Sequence, residues 1–377
     1  MKRFLTMLLA GMLCASALAS CSNNEEKTES LPESSEISEV SEEEIAMPEY
    51  WGSNDYKLTV NPSSPAELES KEMILTKVSD KCYRIETETD AGKLALTIEE
   101  MPWGTFNLWS WKLTTKDNKI IPFVPGSTDW EYVYRTSKSQ NGAVIWSGGN
   151  HGNETLISLA LYNGETESEI ILANGESIKL NKLHIIEKTK LLWTADTDGD
   201  GYGYRYKDRD SYAESDIYAE VTRKYTVIGE QVKLNVDYNY LQDTYHKLSY
   251  TGMFPIDKKY GLYCDMVGTD GNIIKTIETS KVGKADYSGP MNDKNAANRV
   301  HIYGYTDPRY RFDIRVNTFE DSLDSMKNSF KTAFWDMNTG HNKLYFSKYD
   351  ANTATLVPAG TKFSTECIWL FVFDEDA

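Results

Sequence analysis

Apolar and polar residues alternate with a period of two along most of this chain. The pattern is plain in Cys82-Tyr-Arg-Ile-Glu-Thr-Glu-Thr89, Lys93-Leu-Ala-Leu-Thr-Ile-Glu99 and Phe106-Asn-Leu-Trp-Ser-Trp-Lys-Leu113. It returns in Tyr218 to Val227, Gln231-Val-Lys-Leu-Asn-Val-Asp-Tyr238, Val300-His-Ile-Tyr-Gly-Tyr305 and Tyr310-Arg-Phe-Asp-Ile-Arg-Val316. Successive side chains of a strand point to opposite faces, so runs of this kind, rich in Val, Ile, Thr and Tyr, predict half-buried strands. Turn formers punctuate them at Asp117-Asn118, Asn163-Gly164, Asn174-Gly175 and Asp270-Gly271. Helical spacing is found between Glu320 and Trp335, where Leu323, Met326, Phe330 and Phe334 recur every three or four residues. No alternation of strand and helix runs through the chain, which argues against a doubly wound parallel sheet. The expectation is an all-β antiparallel sandwich or jelly roll with one short helix near 320–335. It is built either as one large sandwich or as two halves meeting near 180–215.

The first residues follow a different rule. Lys2 and Arg3 precede an apolar run from Phe4 to about Leu18, and small residues then lead into Cys21. A positive start, a short apolar stretch and small residues make a secretory signal. Leu18-Ala19-Ser20-Cys21 resembles the lipobox of bacterial lipoproteins. That resemblance implies removal of residues 1–20, lipidation of Cys21 and attachment to the cell envelope through acyl chains such as palmitate. The apolar run is short for a bilayer span of about 20 residues. Residues 22–46 carry nine Glu and one Lys among Ser-rich sequence with no aromatic residue. Such a segment cannot bury enough apolar surface to offset its ordering entropy, and it reads as a disordered acidic tether. The folded domain is expected over 47–377.

Charge narrows the partners. The chain carries 57 acidic against 40 basic residues, net −17, and loss of Lys2 and Arg3 with the signal makes it more negative. A surface of this sign repels phosphate backbones and anionic headgroups, so nucleic acid is not an expected partner and membrane contact should come through lipid alone. After Cys14 and Cys21, three cysteines remain: Cys82, Cys264 and Cys367. None has a partner two residues away, so they read as free thiols in apolar runs rather than a zinc site, with at most one disulfide among them.

Candidate chemistry is concentrated in Ser147-Gly-Gly-Asn-His-Gly-Asn-Glu154. Consecutive glycines let backbone approach a ligand closely. On one reading this is a turn on the rim of a sandwich that acts on polysaccharide. A uronate lyase needs a base and a group to neutralise the substrate carboxylate. His151 would be base or neutraliser, Asn150 would assist, and His246 and Tyr250 are possible partners. The chain is faintly similar to β-sandwich polysaccharide lyases in this combination. On a second reading, Gly149-Asn-His-Gly-Asn-Glu154 resembles the zinc-ligand segment of the succinylglutamate desuccinylase, aspartoacylase and zinc carboxypeptidase superfamily. That resemblance implies zinc on His151 and Glu154 and an amide hydrolase, with Asn298-Arg299 and His301 as further family features. The α/β pattern that superfamily needs is absent. A third reading is a non-catalytic envelope adhesion or structural protein.

Two other features complete the picture. Asp196-Thr-Asp-Gly-Asp-Gly-Tyr-Gly203 resembles the opening of an EF-hand-type calcium loop, with Asp196, Asp198 and Asp200 as ligands. Lys207 stands where that loop has its bidentate Glu. Rows of aromatic residues, Trp109 with Trp111 and Trp130 with Tyr132 and Tyr134, have the flat surfaces on which sugar rings pack. The combined expectation is an exported, lipid-anchored protein that binds polysaccharide or cell-surface glycan and cleaves it in lyase fashion, with calcium as a structural ion.

Overall fold

The computed structural model describes residues 70–127, 130–193, 212–268, 272–278, 287–290, 297–304, 309–316, 331–336, 341–349 and 354–373. The described residues all belong to one compact unit, and residues 1–47 lie outside them. The described residues hold twenty-two strands in three sheets, all paired antiparallel.

The first sheet joins β1 (Met73–Ser79), β2 (Cys82–Thr89), β3 (Gly92–Glu100), β4 (Phe106–Thr115) and β5 (Ile120–Val124) as a meander, with β9 (Ser177–Leu180) on its other edge beside β1. A seven-stranded sheet contains β6 (Val133–Ser137), β7 (Ile145–Ser147), β13 (Thr244–Asp257), β16 (Tyr287–Pro290), β19 (Lys331–Asp336), β20 (His341–Tyr349) and β21 (Thr355–Val357). The largest sheet has nine strands. They are β8 (Glu154–Asn163), β10 (Leu183–Leu192), β11 (Ile217–Ile228), β12 (Gln231–Tyr240), β14 (Tyr263–Gly268), β15 (Ile273–Glu278), β17 (Ala297–Tyr303), β18 (Tyr310–Val316) and β22 (Lys362–Phe373). Their spatial order is β15-β14-β17-β18-β22-β12-β11-β10-β8.

The architecture is the expected all-β antiparallel sandwich. Two of the predicted strands, Cys82–Thr89 and Tyr310–Val316, match to the residue. The segment read as helical reaches the described residues only at Lys331–Trp335, and there it is strand β19, paired with β20. Its spaced aromatics Phe330 and Phe334 mimicked a helical stripe, but Thr332, Phe334 and Trp335 suit a pleated sheet equally well. No membrane-length apolar helix occurs among the described residues.

One apolar cluster draws on all three sheets. It includes Leu75, Trp111 and Phe123 from the first sheet, Tyr134, Phe254 and Leu344 from the second, and Leu234, Phe312 and Trp369 from the third. Rings interlock across the layers: Phe123 lies 5.1 Å from Phe312 and 5.5 Å from Phe371, and Trp130 lies 6.0 Å from Trp369. Such tilted and edge-on pairs add about 0.5–1.5 kcal/mol each beyond burial.

The core also holds charge. Glu131, Glu154, Glu187 and Arg223 are all fully buried. Glu131 accepts from the Leu108 amide (2.8 Å), Asn107 Nδ2 (2.8 Å) and the Tyr225 hydroxyl (2.9 Å). Glu187 accepts from the Phe106 amide at 2.7 Å and pairs with Arg223. These bonds tie the start of β4 in one sheet to β10 and β11 in another. Burial raises the Glu187 carboxyl to about 8 despite the attraction of Arg223. Burial likewise raises Glu131 above the ordinary carboxylate range.

Candidate functional site on the outer face of the nine-stranded sheet

The glycine turn is locally well explained. It forms a single 3-10 turn, Gly149–His151, between β7 and β8. Gly148 has φ +82°, and a Cβ there would meet the Tyr132 carbonyl oxygen at 2.7 Å. The glycines therefore let the chain cross over Tyr132. The half-buried His151 ring stacks on Trp146 at 4.7 Å, and Arg135 sits over the same indole at 5.6 Å. Asn150 lies in the middle of the turn.

The other members of that set are elsewhere in their bonding. His246 is fully buried, its Nε2 at 2.7 Å from the Tyr240 hydroxyl and its ring against Tyr134, so it lies among the rings of the core, apart from the glycine turn. Tyr250 is half-buried with its ring 4.3 Å from Tyr345. Glu154 corrects the zinc reading. Its carboxylate points into the core, where it accepts from Tyr132 and Thr189 and lies 3.8 Å from Arg223. These contacts fall on one oxygen, Oε1, and the whole side chain is enclosed in the core at 0% exposure. Among the described residues no group of three or more His, Cys, Asp or Glu is placed to hold a metal ion. Asp196, Asp198, Asp200 and Cys21 lie outside the described residues. Cys82, Cys264 and Cys367 are free thiols, the last two buried.

The aromatic rows are also corrected. Trp111, Trp130 and Tyr132 are at most 1% exposed and pack on other rings instead of facing solvent. The β3–β4 register slips between Thr97↔Ser110 and Ile98↔Leu108, leaving Trp109 as the extra residue of a bulge. Hence Trp109 does not share the face of Trp111; its indole packs against Gly126. Twelve per cent aromatic content filled a large sandwich core, because flat rings bury more area than any other side chain.

What the strands do assemble is a row of ionisable groups on the face of the nine-stranded sheet turned away from the core. Alternation explains it. Cys264, Met266, Val300, Ile302, Phe312 and Ile314 belong to the core cluster. Their neighbours Asp265, Arg299, His301, Arg311, Asp313 and Arg315 must therefore point the other way. Register brings them level: Asp265 pairs with His301, His301 with Asp313, and Arg299 with Arg315. Directly paired residues on one face have Cβ atoms about 4.5–5.5 Å apart. Arg299 Nε donates to both Asp313 oxygens, at 2.9 and 3.1 Å, and its Nη2 reinforces the pair. His301 Nε2 is 3.8 Å from Asp313 Oδ2 and makes no hydrogen bond. Thr276 donates to Asp265 at 2.6 Å.

Each member of this row is less than a tenth exposed. Burial, with Arg311 and Arg299 nearby, holds the His301 imidazole well below its ordinary pKa, so it is neutral at pH 7. Burial raises Asp265 to about 6, with Thr276, Arg311 and Tyr303 opposing. The neutral imidazole keeps a lone pair on Nε2 that can accept a proton, and an anion could be held only by the guanidinium groups beside it. Sequence reading took Arg299 and His301 only as parts of a zinc pattern. The usable signal was the alternation itself: two strands reading charged-apolar-charged place their charges together wherever they pair.

Farther along the same face lies an open groove of about 440 Å³. It is lined by Glu220 and Thr222 of β11, Asp237, Tyr238 and Asn239 of β12, and Lys362, Phe363 and Ser364 of β22.

No protein-family model and no curated protein matches the chain. Among solved structures, it superposes on the galactosidase domain of the α-galactosidase-sucrose kinase AgaSK with a TM-score of 0.46 and 9% identity, over 79% of this chain and 41% of that one. For the α-galactosidase AgaB from Geobacillus stearothermophilus the values are 0.45 and 10%, over 79% and 41%. For a galactose 1-epimerase from Lactobacillus acidophilus they are 0.41 and 13%, over 81% and 100%. The chain spans about two fifths of the length of those galactosidases.

Proposed function

We propose that this protein is an exported lipoprotein, anchored through Cys21, whose β-sandwich binds acidic polysaccharide and cleaves it by a lyase reaction at the His301 row. The observation that carries the reading is the neutral His301 between Asp265 and Asp313, with Arg299 held beside it. A uronate carboxylate would lie against the guanidinium groups, which neutralise it and acidify the proton on the adjoining ring carbon. His301 Nε2 takes that proton, the electron pair forms the carbon–carbon double bond, and the glycosidic carbon–oxygen bond breaks. The departing oxygen is protonated by Asp265, the carboxyl with the raised pKa. Arg299 also fixes Asp313, so its role is partly one of positioning.

The test is incubation with uronate-containing polysaccharides while following the absorbance of the unsaturated uronate product. The wild-type chain should generate it, and His301→Ala should abolish it while the melting temperature stays nearly unchanged. No product from any uronan, or full activity in His301→Ala, would overturn the reading.

A further inference from the structure

The seven-stranded sheet has an outer face of its own, and its chemistry differs from that of the chain as a whole. Tyr134, Phe254, Leu344 and Phe346 of this sheet belong to the core cluster. Alternation therefore turns Arg135, Lys343 and Tyr345 outward. Register extends the same face to neighbouring strands. Trp146 and Leu248 pair with Arg135, and Tyr250 pairs with Ser347, one residue beyond Phe346. Arg135, Trp146, Leu248, Tyr250, Lys343 and Tyr345 are all half-exposed. From β7 through β6 and β13 to β20 the face crosses three strand spacings, about 14 Å.

Charge and ring chemistry together point to a ligand. The whole chain has 57 acidic against 40 basic residues. Among the described residues, however, the strands of this sheet hold two acids, Asp257 and Asp336, and each is the last residue of its strand. The charged side chains across the middle of the face are Arg135, Lys343 and Lys247, whose Nζ also donates to the Gln140 carbonyl. The face thus attracts anions on a molecule whose net charge of −17 repels them. Tyr250 and Tyr345 lie ring to ring at 4.3 Å. Such rings offer a flat apolar surface beside a hydroxyl, which suits the C–H faces and hydroxyls of a sugar. The Arg135 guanidinium rests on the Trp146 indole at 5.6 Å, with His151 stacked on the same indole, so it is held ready for a carboxylate. Nucleic acid, with a charge about every 1.7 Å, is a poor match for cations this sparse. We propose that this face is a holding site for acidic polysaccharide, with sugar rings on Tyr250 and Tyr345 and carboxylates on Arg135 and Lys343. It lies on a different sheet from His301 and stands whether or not cleavage occurs there.

Calorimetric titration of the full chain, in detergent, compares three probes of matched length: an oligogalacturonate, its uncharged methyl ester and a single-stranded oligodeoxynucleotide. The oligogalacturonate should bind, with the ester weaker on the order of tenfold. Arg135→Gln and Tyr250→Ala should each weaken oligogalacturonate by a similar factor, roughly tenfold, while the melting temperature stays near that of the wild type. Lys343→Gln repeats the test on another strand if Arg135→Gln does not fold. Lys188→Gln and Lys224→Gln, exposed on the nine-stranded sheet, should leave binding unchanged, as should His301→Ala. Equal binding of acid and ester, folded face variants that bind normally, tighter binding of the oligonucleotide or no binding at all would overturn the proposal. Binding lost in His301→Ala but kept in the face variants would place the polysaccharide at the His301 row instead. Formation of unsaturated product decides the lyase reading separately.

Discussion

Replacing Glu187 by Gln should make the protein more stable at pH 8 than the wild type, although it removes half of a buried ion pair. The reason lies in the proton that the folded state holds. Glu187 is fully buried beside Glu154 and Glu131, which share Arg223 with it. Its carboxyl is raised from 4.5 to about 8. Between those values the folded chain keeps a proton that the unfolded chain gives up. The stability tied to this group is therefore fully present below about pH 4.5 and is lost as pH rises toward 8. One proton corresponds to a slope of up to about 1.4 kcal/mol per pH unit. Gln keeps an oxygen that accepts from the Phe106 amide but has nothing to titrate. At pH 5 the variant should match the wild type or fall short by about 1 kcal/mol, the worth of an imperfect hydrogen bond. At pH 8 it should exceed it by a few kcal/mol. Urea unfolding of both proteins at half-unit intervals from pH 5 to 8.5 measures this. Stability curves that run parallel across the range would refute the argument.

Four further outcomes are expected. Trp130→Ala removes an indole at 0% exposure that touches Trp111, Phe254 and Trp369, and it should cost about 3–5 kcal/mol; a melting temperature within a degree of wild type would contradict the packing. Gly92→Ala places a Cβ 2.2 Å from the Thr114 carbonyl oxygen at φ +134°, so denaturant unfolding should show a loss of at least about 1–3 kcal/mol, and an unchanged midpoint would mean the β2–β3 turn and its packing on β4 are built otherwise. Chelator should lower the melting temperature if the Asp196, Asp198 and Asp200 loop holds calcium, and superimposable melting curves would dispose of that ion. Cys21→Ser should move the protein from the membrane to the soluble fraction of expressing cells, whereas unchanged membrane retention would rule out the lipid anchor.

Strands were legible in the sequence wherever one face is apolar, as in β2 and β18, because the pleat writes a period of two directly into the chain. Three features were hidden for physical reasons. A bulge in β4 breaks the period, so Trp109 and Trp111 read as one face although they lie on different ones. Buried charge was invisible as well: Glu187 stands in phase with Leu183, Ile185 and Leu191, and Arg223 in phase with Val221 and Tyr225. Pattern alone cannot tell a charge that is paired inside from one that faces water. The His301 row depends on which strands become neighbours. That choice follows from long-range pairing, which puts β18 beside β22 across about fifty residues of chain.

Diffraction from crystals soaked in a short oligouronate would examine the central claim most directly. A uronate carboxylate between Arg299 and Arg311, with its ring proton facing His301 Nε2, is the result this account predicts. Sugar density at the Gly149–His151 turn, with the outer face of the nine-stranded sheet left bare, would contradict it.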